Sequence, residues 1–139
     1  VGSYLYHCSR VCVTEECLYC YRQVSGGANR GRYSGRKAYD PKWMSVFEMT
    51  EYMADLYKDD AVTAACRLHE VREAGIVLRS MEAAGYHGAD HARLKGILRR
   101  GAGLFFRDEN SGRNQKLSVL LSCISPKLEL AVWKLRNRK

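Results

Sequence analysis

Four cysteines, Cys8, Cys12, Cys17 and Cys20, fall within "HCSRVCVTEECLYCYRQ" (7–23), with His7 beside the first. Their spacing is C-x3-C-x4-C-x2-C. A Cys-x2-Cys pair turns two sulfurs toward one ion, and Zn²⁺ takes four nitrogen or sulfur ligands in a tetrahedron. The segment is therefore expected to hold one structural zinc on Cys8, Cys12, Cys17 and Cys20, with His7 as a possible substitute ligand. Disulfides are the rival, because six cysteines are an even number and small secreted chains use such frameworks. Cys66 and Cys123 lie in helical and apolar surroundings and read as ordinary buried thiols. The four clustered cysteines that remain suit a metal better than a staple across a core.

The stretch "CVTEECLYCY" is similar to the cysteine signature of radical SAM enzymes, in which three cysteines hold a [4Fe–4S] cluster. That resemblance covers about ten residues. The signature runs C-x3-C-x2-C, whereas four residues separate Cys12 from Cys17 here. The remaining chain lacks the alternating strands and helices of that partial barrel, so zinc stays the expectation.

Phosphate chemistry is the second theme. "RGRYSGRK" (30–37) interleaves Arg30, Arg32, Arg36 and Lys37 with glycine and Tyr33. Guanidinium groups pair with phosphates, Tyr offers a stacking face, and glycine lets the arm follow a strand. Arg93, Lys95, Arg99 and Arg100 are expected on the outer face of a helix, where they would contact backbone phosphates. Nothing in these spacings reads a base edge, so weak sequence specificity is expected. "HGADH" (87–91) has a spacing that metals use, but Gly88 and a cap at Asp90 put His87 outside the helix. It reads as two solvated histidines. Nucleotide-binding glycine loops, nucleophile elbows and the H-E-x-x-H motif are absent from the sequence, so no enzyme is expected.

Charge supports this division. The net charge is +8 over 139 residues. Residues 1–40 carry six Lys/Arg against three Asp/Glu, residues 41–90 five against nine, and residues 91–139 twelve against three. A basic block beside an acidic one suggests a polyanionic partner. No apolar run approaches the roughly 20 residues that span a bilayer. "VGSYLYHC" shows no secretory signal pattern, and the expected location is intracellular, in cytoplasm or nucleus.

The elements that must position these groups follow from period and punctuation. The fold expected is mainly α, with a small N-terminal Cys-rich zinc-finger-like module (1–23, including a strand-like "SYLYHC"), a basic Gly/Arg linker (24–40) and a helical domain (41–139) of four or five helices. Asp40 and Pro41 open the first helix, with Val46, Phe47, Met53, Leu56 and Tyr57 on its apolar face. Asp59 and Asp60 separate it from a second helix over about 61–84, whose face is Ala61, Ala65, Leu68, Val71, Leu78 and Met81, with Gly85 as its cap. A third begins after Asp90 and turns Leu94, Ile97 and Leu98 inward, until "GAGLFF" breaks the period. "RDENSGRNQK" (107–116) reads as a loop, and "LSVLLSCIS" (117–125) as helix or strand. Ser125 and Pro126 open a last helix with Leu128, Val132 and Leu135 inside. The function expected is a small non-enzymatic nucleic-acid-binding protein, RNA before DNA, of the kind found among viral regulators or ribonucleoprotein subunits. The alternatives are an adaptor that docks a protein through residues 41–90 or its apolar grooves, and a secreted disulfide-stabilised effector.

Overall fold

The computed structural model describes residues 6–12 and 39–137. Among the described residues there is no strand. A 3-10 turn at Pro41–Met44 leads into α1 (Ser45–Tyr57), followed by α2 (Asp60–Ala84), α3 (Ala89–Arg107), α4 (Arg113–Ile124) and α5 (Pro126–Arg136). The mainly helical expectation and the number of helices hold. Within "SYLYHC", Tyr6 has helical rather than extended backbone.

Local chemistry sets the boundaries. The Asp40 carboxylate accepts from the Lys42 N–H at 3.0 Å, and Pro41 fills the first position, where no N–H is needed. Lys58 in the left-handed region ends α1 (φ 49°), and Asp59 Oδ1 then accepts from the Ala61 and Val62 N–H groups to start α2. Gly85 (φ 68°) ends α2 in a conformation that costs glycine little. Pro126 opens α5 directly after Ser125.

Helix α2 is the axis of the bundle, and each of the other four helices packs on it. Its second half is buried almost all round, from Val71 through Met81, including Glu73, Arg79 and Ser80. A helix enclosed on several sides has no single apolar stripe, which is why periodicity reads it only in part. Leu68, Val71, Leu78 and Met81 do contribute to the core, but Ala61 and Ala65 are exposed because the neighbours cover the helix only further along. Phe47 from α1, Leu94, Leu98 and Phe105 from α3, and Val119 from α4 complete that core.

Three further expectations need correction. The break at "GAGLFF" is not there: α3 continues to Arg107 and buries Phe105. A Cβ on Gly101 would lie 2.2 Å from Val71 Cγ2, so glycine marks where α2 and α3 meet closely rather than where a helix stops. The loop is shorter than expected, since Arg113–Lys116 already form the first turn of α4, and "LSVLLSCI" is helical. In α5, Leu128 and Leu135 are exposed (43% and 65%), and the buried residues are Pro126, Glu129 and Leu130. An ion pair between Glu129 and Arg79 of α2 turns α5 away from its leucine face.

Candidate functional site

At the N-terminus, His7 and Cys12 are exposed and Cys8 is half-buried. The Tyr6 ring stands edge-on to Tyr57, centroids 5.2 Å apart, so this segment sits against the end of α1. Cys17, Cys20 and the arm residues Arg30, Arg32, Tyr33, Arg36 and Lys37 lie outside the described residues. Cys66 and Cys123 are half-buried thiols. Burial raises the pKa of both; Glu70 adds to the effect at Cys66 and Arg99 offsets part of it at Cys123.

Helix α3 divides its cations between two flanks. At 100° per residue, Arg93, Arg100 and Arg107 share one side and Lys95 and Arg99 another, with the buried Leu94, Leu98 and Phe105 opposite. The four cations that sequence places on one outer face are therefore not one row. Arg93 is tied to Glu51 of α1 at 3.2 Å. Lys95 turns into a cleft with Lys127 of α5. Arg99, Arg100 and Arg107 are exposed, and among the described residues none has a carboxylate within ion-pair distance. The Arg100 guanidinium lies over Gly96, and the space around Gly103 is open. The Arg93–Gly96–Arg100–Gly103–Arg107 side thus alternates long cations with bare backbone, its arginines about 10 Å apart along the axis.

The corner between α2 and α3 gathers a second set of groups. Glu82 stands in the last turn of α2, His91 in the first turn of α3, and His87 in the link between them. Gly85 reverses the chain, and Gly88 lets it pass under the Tyr86 ring, where an added Cβ would lie 2.4 Å from the Tyr86 hydroxyl. Glu82 Oε1 lies 2.9 Å from His91 Nε2 and 3.8 Å from His87 Nδ1. The imidazole centroids are 5.0 Å apart. His91 is nearly buried (12% exposed) and His87 half exposed. The expectation of two solvated histidines therefore holds for His87 and fails for His91. The third member was missed because it belongs to the preceding helix. Its signal is the helix-ending Gly85, which folds position 82 back onto 87 and 91. Beside this corner the Tyr39 hydroxyl donates to Asp90 Oδ2 at 2.8 Å, and the Tyr39 ring lies against Tyr86. Burial first, then that hydrogen bond, raises the Tyr39 pKa far above the ordinary tyrosine value.

A further cavity of about 380 Å³ opens between α2, α4 and α5. On its wall Arg79 Nη1 donates to Glu129 Oε1 at 2.9 Å, Ser118 donates to the same oxygen at 2.7 Å, and the guanidinium stands 4.9 Å from the Trp133 ring centroid. The pair is buried and mutually neutralised, which suits a clamp on α5 better than a ligand site. Comparison with known proteins gives no lead, since no family model, curated protein or solved structure matches the chain.

Proposed function

We propose that the protein binds nucleic acid, RNA in preference to DNA, by contacts to backbone phosphates, and that it is a binding protein rather than an enzyme. The observation that carries this reading is the set Arg99, Arg100 and Arg107: three exposed guanidinium groups on α3 without carboxylate partners among the described residues. Charges kept in water and left unpaired attract a polyanion and release its counterions. The open space around Gly103 leaves room for a sugar-phosphate chain between Arg100 and Arg107. The arm with Arg30, Arg32, Tyr33, Arg36 and Lys37 adds stacking and further phosphate contacts. Zinc on Cys8, Cys12, Cys17 and Cys20 organises the N-terminal segment, in an intracellular, reducing setting that keeps those thiols available. Filter binding of the full chain to single-stranded RNA at low salt tests the reading. Retention that falls steeply as salt rises is expected, and no retention at low salt overturns it. Native mass spectrometry tests the zinc: a mass excess of one ion that unfolding removes is expected, whereas a mass lowered by pairs of hydrogens means disulfides and an extracellular effector.

A second reading rests on a different observation. Leu117, Leu120 and Ile124 of α4 and Leu128 and Leu135 of α5 are exposed on the outward sides of their helices, with Lys127 and Lys134 also exposed on α5. Such a face would seat an acidic amphipathic helix of a protein partner. A synthetic peptide of that kind that bound the wild type and not Ile124→Asp would favour an adaptor.

A further inference from the structure

We infer that the Glu82–His87–His91 corner is a divalent metal site of the zinc class, separate from the N-terminal cysteines. Three donor atoms, one from each residue, lie within 4.8 Å of one another. In a tetrahedral site with bonds of about 2.05 Å, ligand atoms stand about 3.3 Å apart. The observed 2.9 Å and 3.8 Å from Glu82 Oε1 to the two imidazole nitrogens bracket that spacing. An ion would draw these three donors, now within 4.8 Å of one another, to that spacing. Two imidazole nitrogens and one carboxylate suit Zn²⁺ or its transition-metal neighbours rather than Mg²⁺ or Ca²⁺, which take oxygen donors.

The backbone also favours the site. Two donors are fixed on helices that meet at a glycine-capped turn, and only His87 comes from the link. In the metal-free arrangement His91 Nε2 and Glu82 share a hydrogen bond. On binding, the ion replaces that hydrogen bond at Nε2, and the neutral His91 ring carries its single proton on Nδ1. His87, bound through Nδ1, keeps its proton on Nε2.

Three protein ligands leave a fourth position in the cleft of about 340 Å³ that the corner shares with Lys95, Lys127 and Ser125. Two ammonium groups near a bound cation oppose it in isolation. They are compensated when the fourth ligand is an anion, so the complete site takes a divalent ion together with a small anion such as phosphate or hydroxide.

The test is a cobalt(II) titration of the metal-free full chain followed by absorption. Cobalt on thiolates shows sulfur-to-metal charge transfer, whereas cobalt on imidazole and carboxylate shows only ligand-field bands. One equivalent is expected to bind without adding charge-transfer absorption, and zinc should displace it. His87→Ala, at a half-exposed position in the link, keeps the helices and should weaken that equivalent by at least about tenfold, as should His91→Ala. Wild-type and His87→Ala spectra that coincide at every cobalt level overturn the inference. So does cobalt bound solely with charge transfer, or no binding at all, either of which would leave the corner a hydrogen-bonded staple between helices. None of these outcomes depends on nucleic-acid binding.

Discussion

Replacing Glu129 by Ala should unfold the protein at markedly lower denaturant. The reason lies in the pair it forms with Arg79: the contact is 2.9 Å and the side chains are 3% and 8% exposed. An exposed pair would be worth about 1 kcal/mol or less. Here the truncation removes the Arg79 counter-charge and the acceptor of the Ser118 hydroxyl while leaving a guanidinium shut away from water. Breaking such a buried pair from one side costs about 3–5 kcal/mol, a large share of the roughly 5–15 kcal/mol that holds a domain together. Joint replacement, Arg79→Met with Glu129→Leu, removes both charges and should restore most of the loss, because the pair carries its own desolvation cost. Urea unfolding of wild type, Glu129→Ala, Arg79→Met, Glu129→Leu and the Met/Leu double variant, followed by circular dichroism, gives the truncation cost and the cycle. Single variants that each lose less than about 1 kcal/mol, with additive effects in the double, would refute the reasoning and mean that the α5 clamp is effectively solvated.

Gly101→Ala should lower stability by about 1–3 kcal/mol, since its methyl would enter the Val71 side chain, whereas Gly103→Ala, in open space on the same helix, should raise it by up to about 1 kcal/mol; paired urea midpoints decide. Cys66 and Cys123 should react with iodoacetamide more slowly in the native protein than in urea, and faster as pH rises, because burial holds their thiols protonated to higher pH; equal native and denatured rates would contradict this. Tyr39 should ionise at higher pH in the folded protein than in the unfolded chain in an alkaline ultraviolet titration. Because the folded form holds the Tyr39 proton more tightly than the unfolded chain, its contribution to stability is complete below about pH 10 and declines above it, a decline that Tyr39→Phe should remove.

The bundle was legible where a residue's type forces a boundary. Asp40–Pro41, Asp59, Gly85 and Ser125–Pro126 mark the ends of elements in the sequence, and the chain turns at each of them. Faces were legible where a helix has one neighbour side, as in α3 with Leu94 and Leu98. They were not where burial is set by partners distant in sequence. Arg79 and Glu129, 50 residues apart, are polar by type and buried by pairing, and with Glu129 turned inward Leu128 and Leu135 face out while Leu130 is buried. Gly101 is a helix breaker by propensity and a contact point by packing. In the candidate site, the basic character of α3 and its two flanks follow from helical spacing, but the engagement of Arg93 by Glu51 and of Lys95 by the cleft with Lys127 depends on partners distant in sequence. His87 and His91 were visible as a pair. Glu82 was not, because it belongs to the preceding helix and only the helix-ending Gly85 marks the turn that returns it to them.

Nucleic-acid binding by this protein requires that α3 meet a phosphate backbone. The direct measurement is fluorescence anisotropy of labelled single-stranded RNA against the full chain over a series of salt concentrations, repeated with Arg99, Arg100 and Arg107 changed to Gln. If these three groups each neutralise a phosphate, the slope of log K against log salt should fall by about 2 in the variant, close to 0.7 for each contact, with helicity unchanged. Identical affinity and slope in wild type and variant would contradict the account.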